Sequence, residues 1–244
     1  MILKGASQAR EFAVRLAAIV TQNNIPGAMD AIEPIIHDKN PFRLLDLVGA
    51  GIADCPSASL LPFLDAIATT RAEGGWVVIA AALHLHQGKS LPFRLEMAQQ
   101  YIIWSDIWYG ADIFAERVPG PFLLEQFAQT LAQLKNWTKH SNPWVRRSVG
   151  VAVHFWTKRT RSDEKMQDQV HLLLDLLAPV FEEKDMRAAK GIGWGLKTLG
   201  RYYPQLVSDW LHAQLHIQGR QPMCVVRRKA LTFLPNHLKQ RMSK

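Results

Sequence analysis

An acidic residue follows a tryptophan by one helical turn in the stretch IWYGADIF, where Trp108 and Asp112 are four positions apart. On a helix, residues at this spacing lie nearly above one another and form one local site. A fixed carboxylate can stabilise the oxocarbenium-like sugar that forms when an N-glycosidic bond breaks, and can orient water. Aromatic faces support the same cation. An interhelical salt bridge or a cap contact is the other role open to Asp112.

The charge of the leaving base determines whether such a site also needs an acid. A purine alkylated at N3 or N7 already carries a positive charge, so it leaves as a neutral molecule and needs no acid to protonate it. A regular helix through this stretch predicts an aliphatic core of Ile103, Ile107, Phe114 and Val118. It also predicts a stripe rotated by about 100°, made of Tyr101, Trp104, Trp108 and Asp112.

A second constellation of chemical interest lies in the predicted helix over residues 186–203. Four cations and one indole follow spacings of 3, 4, 3 and 4 and so share one narrow face: Arg187, Lys190, Trp194, Lys197 and Arg201. The aliphatic residues fall on the opposite face. A solvated charged face explains the cations, but an indole among them favours a ligand with phosphates and a flat or cationic group. The GIGWG run from Gly191 lies inside this helix with no strand before it, so it is not a dinucleotide-binding loop.

The helix predicted over residues 144–157 has a related face, on which Arg147, His154 and Lys158 are spaced by seven and four. Between Lys135 and Arg161 there are seven Lys and Arg and no acidic residue. Phosphate binding and a solvated helix face both fit this pattern.

Charge is distributed unevenly, although the net charge of the 244 residues is +8. Residues 1–134 hold nine Lys and Arg against thirteen Asp and Glu, whereas residues 135–244 hold twenty against eight. The two segments therefore carry −4 and +12. Such polarisation favours a polyanionic partner, most often nucleic acid, although many basic proteins have other functions.

Other chemistries lack their motifs. Cys55 and Cys224 are too few for a disulfide framework or a thiolate metal site. His84 and His86 are two apart and face different sides of a helix, so we expect no metal site. HExxH, Walker and GxSxG motifs are absent, and no cofactor is expected.

Nothing in the sequence predicts a membrane protein. The longest apolar run, Trp76–Leu83, is far shorter than the roughly 20 residues that a bilayer-spanning helix needs. The first fifteen residues lack the pattern of a signal peptide. We therefore expect a cytoplasmic protein.

Apolar residues recur at three- and four-residue spacing along nearly the whole chain, separated by short breaks such as Gly74 and Gly75, Pro119–Pro121 and Pro204. Period-two strand patterns are absent. The sequence thus predicts an all-α fold in one continuous domain, residues 1–244. The predicted helices cover residues 6–21, 58–71, 76–87, 91–104, 107–118, 121–137, 144–157, 165–183, 186–203, 205–217 and 225–240.

Self-similarity appears in the basic segment. Three similar runs place Arg146, Arg187 and Arg227 at intervals of 41 and 40. This period suits helix-pair repeats of the HEAT or armadillo kind, in which each Arg would open the second helix of a pair. A chance match of three short runs is the alternative.

Four segments of the chain resemble the AlkD-type DNA alkylation repair family, the HEAT-like-repeat DNA glycosylases. They are IWYGAD from Ile107, WTKHSNPWVRRSVGVAV from Trp137, KGIGWGLKTLGRYYPQLV from Lys190 and VRRKAL from Val226. Together they span residues 100–235. The third segment, with a WxRR motif upstream, is more specific to the family than the WxxxD element.

This resemblance implies a fold and a site. The fold would be a HEAT-like helical-repeat solenoid with a concave basic groove. Asp112 matches the catalytic carboxylate, and Trp108 and Trp194 match the aromatic residues that flank the sugar of the lesion. Arg147 matches an arginine that binds the DNA backbone. We expect phosphate contacts from Arg146, Arg147, Arg187, Lys190, Lys197, Arg201 and Lys158.

The resemblance also implies an activity. Family members excise cationic N3- and N7-alkylated purines from duplex DNA without flipping the base into a pocket. The implied protein is a DNA-alkylpurine N-glycosylase, a hydrolase acting on double-stranded DNA as a nucleoid-associated monomer.

Two departures leave alternatives open. Residues 1–60 form a divergent N-terminal region that does not match the pattern expected of the family, and Lys197 stands where an Arg is common. Some relatives bind branched or unusual DNA without excising bases, so a non-catalytic DNA-structure binder is the alternative function. A protein-interaction scaffold is a third class, which the Arg187 to Arg201 stripe disfavours because protein interfaces rarely need so many cations around one indole.

Overall fold

The computed structural model describes residues 1–242, and no strand occurs among them. The all-α prediction is therefore confirmed. The α-helices are α1 (Ala6–Thr21), α2 (Ile25–Ile36), α3 (Phe42–Ile52), α4 (Ser57–Thr69), α5 (Glu73–Leu85), α6 (Leu91–Ser105), α7 (Trp108–Arg117), α8 (Pro119–Glu125), α9 (Phe127–Trp137), α10 (Pro143–Thr160), α11 (Gln167–Leu177), α12 (Met186–Tyr202), α13 (Pro204–His212), α14 (Cys224–Leu231) and α15 (Asn236–Gln240). Short 3-10 helices cover Glu164–Met166 and Ala178–Val180, and a π-helix covers Ala213–Ile217.

Several predicted boundaries are wrong. The segment predicted over residues 121–137 is two helices that break at Gln126, and Pro119–Pro121 begins the first of them because proline is tolerated in the first turn. The segment predicted over residues 225–240 is likewise interrupted before Pro235. Helices α2 and α3 lie in a part of the chain where the sequence predicts no helix.

The first compact unit is Met1–Val118. Its odd-numbered helices pack in sequence, α1 on α3, α3 on α5 and α5 on α7, while α2 packs on α4 and α4 on α6. Small residues allow the close approach in the first row. A side chain at Gly51 would meet the Ala13 methyl at 2.5 Å, and one at Gly49 would meet the Ala81 methyl at 2.8 Å.

The second unit is Pro119–Lys244, of which residues 119–242 are described. Here the even-numbered helices pack in sequence, α8 on α10, α10 on α12 and α12 on α14, while α11 contacts α9 and α13. The first turns of α10, α12 and α14 contain Arg146, Arg187 and Arg227 respectively. The interval of about 40 residues therefore separates the first turns of successive helices of one row.

Within residues 1–242, no helix combines the length and apolar character needed to cross a bilayer. The same part of the chain contains no group of three or more His, Cys, Asp or Glu side chains arranged to hold a metal ion.

Candidate nucleic-acid interface

Helix α7 positions Trp108 and Asp112, and a sharp chain reversal sets where it begins. Asp106 ends α6 in the left-handed region at φ 46°, and Trp108 is then the first residue of α7. Gly110 makes this corner possible, because a side chain there would lie 2.6 Å from Cβ of Ser105. Asp112 follows one turn after Trp108, as the spacing predicts. The Trp108 side chain is 57% exposed, and Asp112 is half-buried.

The assumption of one regular helix through this stretch is wrong. Tyr101 belongs to α6 and is completely buried, so it shares no exposed stripe with Trp108. Its hydroxyl donates to Oδ1 of Asp65 at 2.8 Å, and its ring stacks on Phe114 with centroids 5.7 Å apart. Burial raises the pKa of the Tyr101 phenol, and the hydrogen bond to Asp65 raises it further. Tyr101 is thus a core residue.

The cation and indole stripe of the second unit lies on α12, which begins where the Asp185 side chain accepts a hydrogen bond from the backbone N–H of Arg187 at 2.8 Å. Between residues 188 and 200, the side chains that escape full burial are Lys190, Trp194 and Lys197. Arg187 and Arg201 are exposed at the two ends. Over residues 188–200, the predicted stripe is therefore the solvent-facing edge of an otherwise buried helix.

The GIGWG run brings α12 against α10. A side chain at Gly191 would meet the backbone oxygen of Arg147 at 2.5 Å, and one at Gly195 would meet the backbone oxygen of Gly150 at 2.7 Å. Both obstacles are backbone atoms, which cannot rotate away. The glycines are thus required for close helix packing, and the interpretation of this run as helix interior is confirmed.

Trp194 has an aromatic neighbour from α10. Its ring and the imidazole of His154 stack with centroids 4.2 Å apart and planes 28° apart. His154 Nδ1 lies 2.6 Å from Oγ1 of Thr198. Burial lowers the pKa of His154 to about 4, helped by the charges of Lys158, Lys197 and Lys229. The imidazole is therefore neutral at pH 7.

The predicted phosphate contacts on α10 have different environments. Arg146 forms a two-bond ion pair with Glu183, at 2.6 and 3.1 Å, and also donates to the backbone oxygens of His140 and Ser141. Arg147 is 7% exposed, and its guanidinium donates to the backbone oxygen of Arg187 at 3.1 Å. Both arginines thus bridge α10 to neighbouring segments of the second unit. Lys158, by contrast, is exposed.

An acidic loop before α12, which contains Glu182, Glu183 and Asp185, forms ion pairs with three arginines of the second unit. Glu182 pairs with Arg220 at 3.1 Å, Glu183 with Arg146, and Asp185 with Arg187 at 2.6 Å. The hydrogen bond from Arg187 lowers the pKa of Asp185 to about 2. For Glu183, burial would raise the pKa, but the hydrogen bonds from Arg146 and from backbone N–H groups lower it below the ordinary value.

Sequence reasoning missed two features of this surface. Phe233 is 43% exposed, with Nζ of Lys197 4.9 Å and Cζ of Arg201 5.1 Å from its ring centroid. The contact of His154 with Trp194 was also missed. The repeat interval contained a signal for the second contact, because Trp194 follows His154 by 40 positions.

Comparison with known proteins identifies the family. The model of the DNA alkylation repair enzyme family matches residues 76–234. This range is more than half of the chain, so the protein belongs to the DNA alkylation repair enzyme family. No curated protein matches the chain. Family membership supports an enzyme of DNA repair with DNA as its partner. The match begins at residue 76, so it does not include the divergent region of residues 1–60.

Proposed function

We propose that this protein hydrolyses the N-glycosidic bond of cationic N3- or N7-alkylated purines in double-stranded DNA without base flipping. The observation that carries the proposal is the solvent-facing edge of α12, where cations surround a half-buried indole in a member of a DNA repair family. A row of cations follows a polyanionic backbone, and an aromatic face favours the cationic sugar formed during base loss.

In this mechanism, water supplies the atoms that the reaction needs. The bond between C1′ and the purine nitrogen breaks, and its electron pair neutralises the charge of the alkylated base. The Asp112 carboxylate stabilises the positive charge left on the sugar and orients the water whose oxygen bonds to C1′. The proton of that water passes to the carboxylate and then to solvent. We assign Trp108 and Trp194 to flank the sugar.

The phosphate contacts sort by exposure. Lys158, Lys190 and Arg201 are exposed and Lys197 is half-buried, which suits direct contact with DNA. Arg187 is exposed as well and stays a predicted phosphate contact, and its guanidinium is already paired with Asp185. Arg146 and Arg147 stay predicted phosphate contacts, and their bonds to Glu183 and to the Arg187 backbone give them a second role in holding α10. The rows of alternating helices in each unit support HEAT-like repeats, in which one row lines the binding surface.

The test uses duplex DNA with a single 7-methylguanine and measures released base and abasic sites. We expect Asp112→Asn to slow release by about 100-fold, the scale of a lost electrostatic stabiliser, with little change in DNA affinity. Asp106→Asn is the matched control, because it makes the same change two residues before Trp108 at a left-handed position that Asn tolerates. It should release base like the unmodified protein.

Two outcomes would contradict the proposal. Equal release by Asp112→Asn and the unmodified protein would remove Asp112 from the mechanism. Salt-sensitive binding to branched or distorted DNA without any release of base would favour the non-catalytic DNA-structure binder.

A further inference from the structure

We infer that His154 is a positioning residue for Trp194, an aromatic ring that fixes the orientation of the indole in the DNA-facing stripe. The inference rests on the proposed function, because it assigns His154 a part in the same reaction. His154 would not touch the substrate, and it would act through Trp194.

The first support is that His154 reaches Trp194 by two routes. The rings stack directly, with centroids 4.2 Å apart. In addition, the Thr198 hydroxyl donates to the backbone oxygen of Trp194 at 3.1 Å and lies 2.6 Å from His154 Nδ1. A hydroxyl has one hydrogen to donate, so Nδ1 carries the proton and donates to Thr198. The ring plane and the backbone of Trp194 are therefore tied to the same imidazole.

The second support is rigidity. His154 is 7% exposed, and Thr198 is 6% exposed one turn after Trp194 on α12. Gly191 and Gly195, before and after Trp194, hold α12 against α10, so the backbones that carry the two rings have little freedom to separate. A buried partner on a fixed helix can hold an otherwise half-exposed indole in one orientation.

The third support is electrostatic. Charged groups face His154 from its own helix and from two neighbours: Lys158 on α10, Lys197 on α12 and Lys229 on α14. Together with burial they lower the pKa of His154 to about 4, so the ring stays neutral in the working range. A cationic imidazole on Trp194 would withdraw π-electron density from the indole and weaken its attraction for a sugar cation. A neutral ring avoids that competition.

The experiment compares three variants in single-turnover release of 7-methylguanine, with DNA affinity measured in parallel. His154→Leu removes the ring and the hydrogen bond, His154→Phe keeps a ring, and Thr198→Val removes the hydroxyl while keeping the shape of the side chain. We expect His154→Leu to release base about 10-fold more slowly at unchanged affinity, because small misplacements of a site residue have effects of this order or larger. The other two variants should lose less.

A spectroscopic readout separates positioning from packing. Protein labelled with 5-fluorotryptophan gives a ¹⁹F resonance for Trp194, assigned by its loss in Trp194→Phe. In His154→Leu this resonance should shift and broaden, while that of Trp108, on the first unit, stays unchanged as the internal control. If His154→Leu does not fold, His154→Phe and Thr198→Val are compared with the unmodified protein in the same way.

The outcomes of the two hypotheses differ. If the unmodified protein releases base and the variants match its rate, the inference is overturned and the proposed function stands. If the unmodified protein releases no base, the proposed function fails, and an unchanged Trp194 resonance in His154→Leu would overturn the inference independently. A variant that loses affinity and rate together would assign His154 a packing role alone.

Discussion

Helices α5 and α12 each lie inside a row of helices in their own unit, and each row needs glycines at its closest contacts. Gly49 brings α3 to α5 in the first unit, and Gly191 brings α12 to α10 in the second. Their exposed surfaces differ. In α5 every residue from Gly74 to Leu83 is buried, whereas α12 keeps a stripe of cations and an indole at the surface.

The same difference holds for the units as wholes. Residues 1–118 hold nine Lys and Arg against twelve Asp and Glu, and residues 119–244 hold twenty against nine. The packing rules are thus common to both units, while the charge that suits a nucleic acid belongs to the second. Packing specifies the scaffold and exposed side chains specify the partner.

The largest effect should come from the glycines. Gly191→Ala should lower the free energy of unfolding by about 3 kcal/mol, because the new methyl meets backbone atoms of α10. Gly49→Ala should cost a similar amount in the first unit. Gly5→Ala is the control, since nothing lies within 4 Å of the added methyl. Denaturant unfolding that shows a cost at one glycine alone would break the parallel between the units.

Next in size is the contrast between two arginines of the basic unit. Arg146→Ala leaves Glu183 without its ion-pair partner in a site where the two side chains are 17% and 9% exposed, and should cost about 2 to 3 kcal/mol. The Arg187 and Asp185 side chains are 50% and 27% exposed, so Arg187→Ala should cost below about 0.5 kcal/mol. Thermal unfolding measures both. Equal costs would show that the exposed stripe also holds the fold together.

A smaller effect concerns the dependence of stability on pH. The pKa of His154 is lowered on folding from 6.5 to about 4, so the unfolded chain takes up this proton at higher pH than the folded protein. The contribution of the neutral His154 to the free energy of unfolding is therefore complete above pH 6.5 and is lost as the pH falls toward 4. Linkage gives a loss of about 2 kcal/mol at pH 5.

His154→Phe has no such proton, so its unfolding free energy should fall less between pH 7 and pH 5. Urea unfolding at the two pH values tests this. Parallel losses in both proteins would show that His154 titrates normally in the folded state.

The smallest effect on the fold is the most direct test of the charge difference. Lys190→Ala combined with Arg201→Ala should leave stability nearly unchanged and reduce the slope of log affinity for duplex DNA against log salt by about 2. The matched control is Arg10→Ala with Arg15→Ala, two exposed cations of α1 in the first unit. Equal changes of slope would contradict the division of roles between the units.

The all-α class and the α12 stripe could be predicted from sequence because a 17-residue amphipathic helix repeats its pattern over several turns. Helices α2 and α3 were missed because Pro34 lies inside the first and Gly49 and Gly51 inside the second. Residues that usually break helices are here accommodated by packing. The corner at Asp106 depends on the contact of Gly110 with Ser105, and no periodicity encodes it.

In the candidate site, too, contacts within one helix could be predicted from the sequence and contacts between helices could not. The predicted one-turn separation of Trp108 and Asp112 is found in the structure because both residues lie within one short helix. The partners of Arg146 and Trp194 lie 37 and 40 residues away along the chain, at Glu183 and His154. In the sequence, only the repeat interval of about 40 residues indicates contacts between residues so far apart, and it does not show which side chains make them.

The acidic loop at Glu182, Glu183 and Asp185 changes how far the positive field of the basic unit extends. Each of its carboxylates cancels one guanidinium near the start of α12, so the total charge overstates the attraction that a distant polyanion would feel there. The cations from Lys190 to Arg201 lie beyond that screen and extend over about 16 Å of helix, roughly the axial rise of five base pairs. The loop thereby makes the positive potential weakest near the start of α12 and strongest between Lys190 and Arg201.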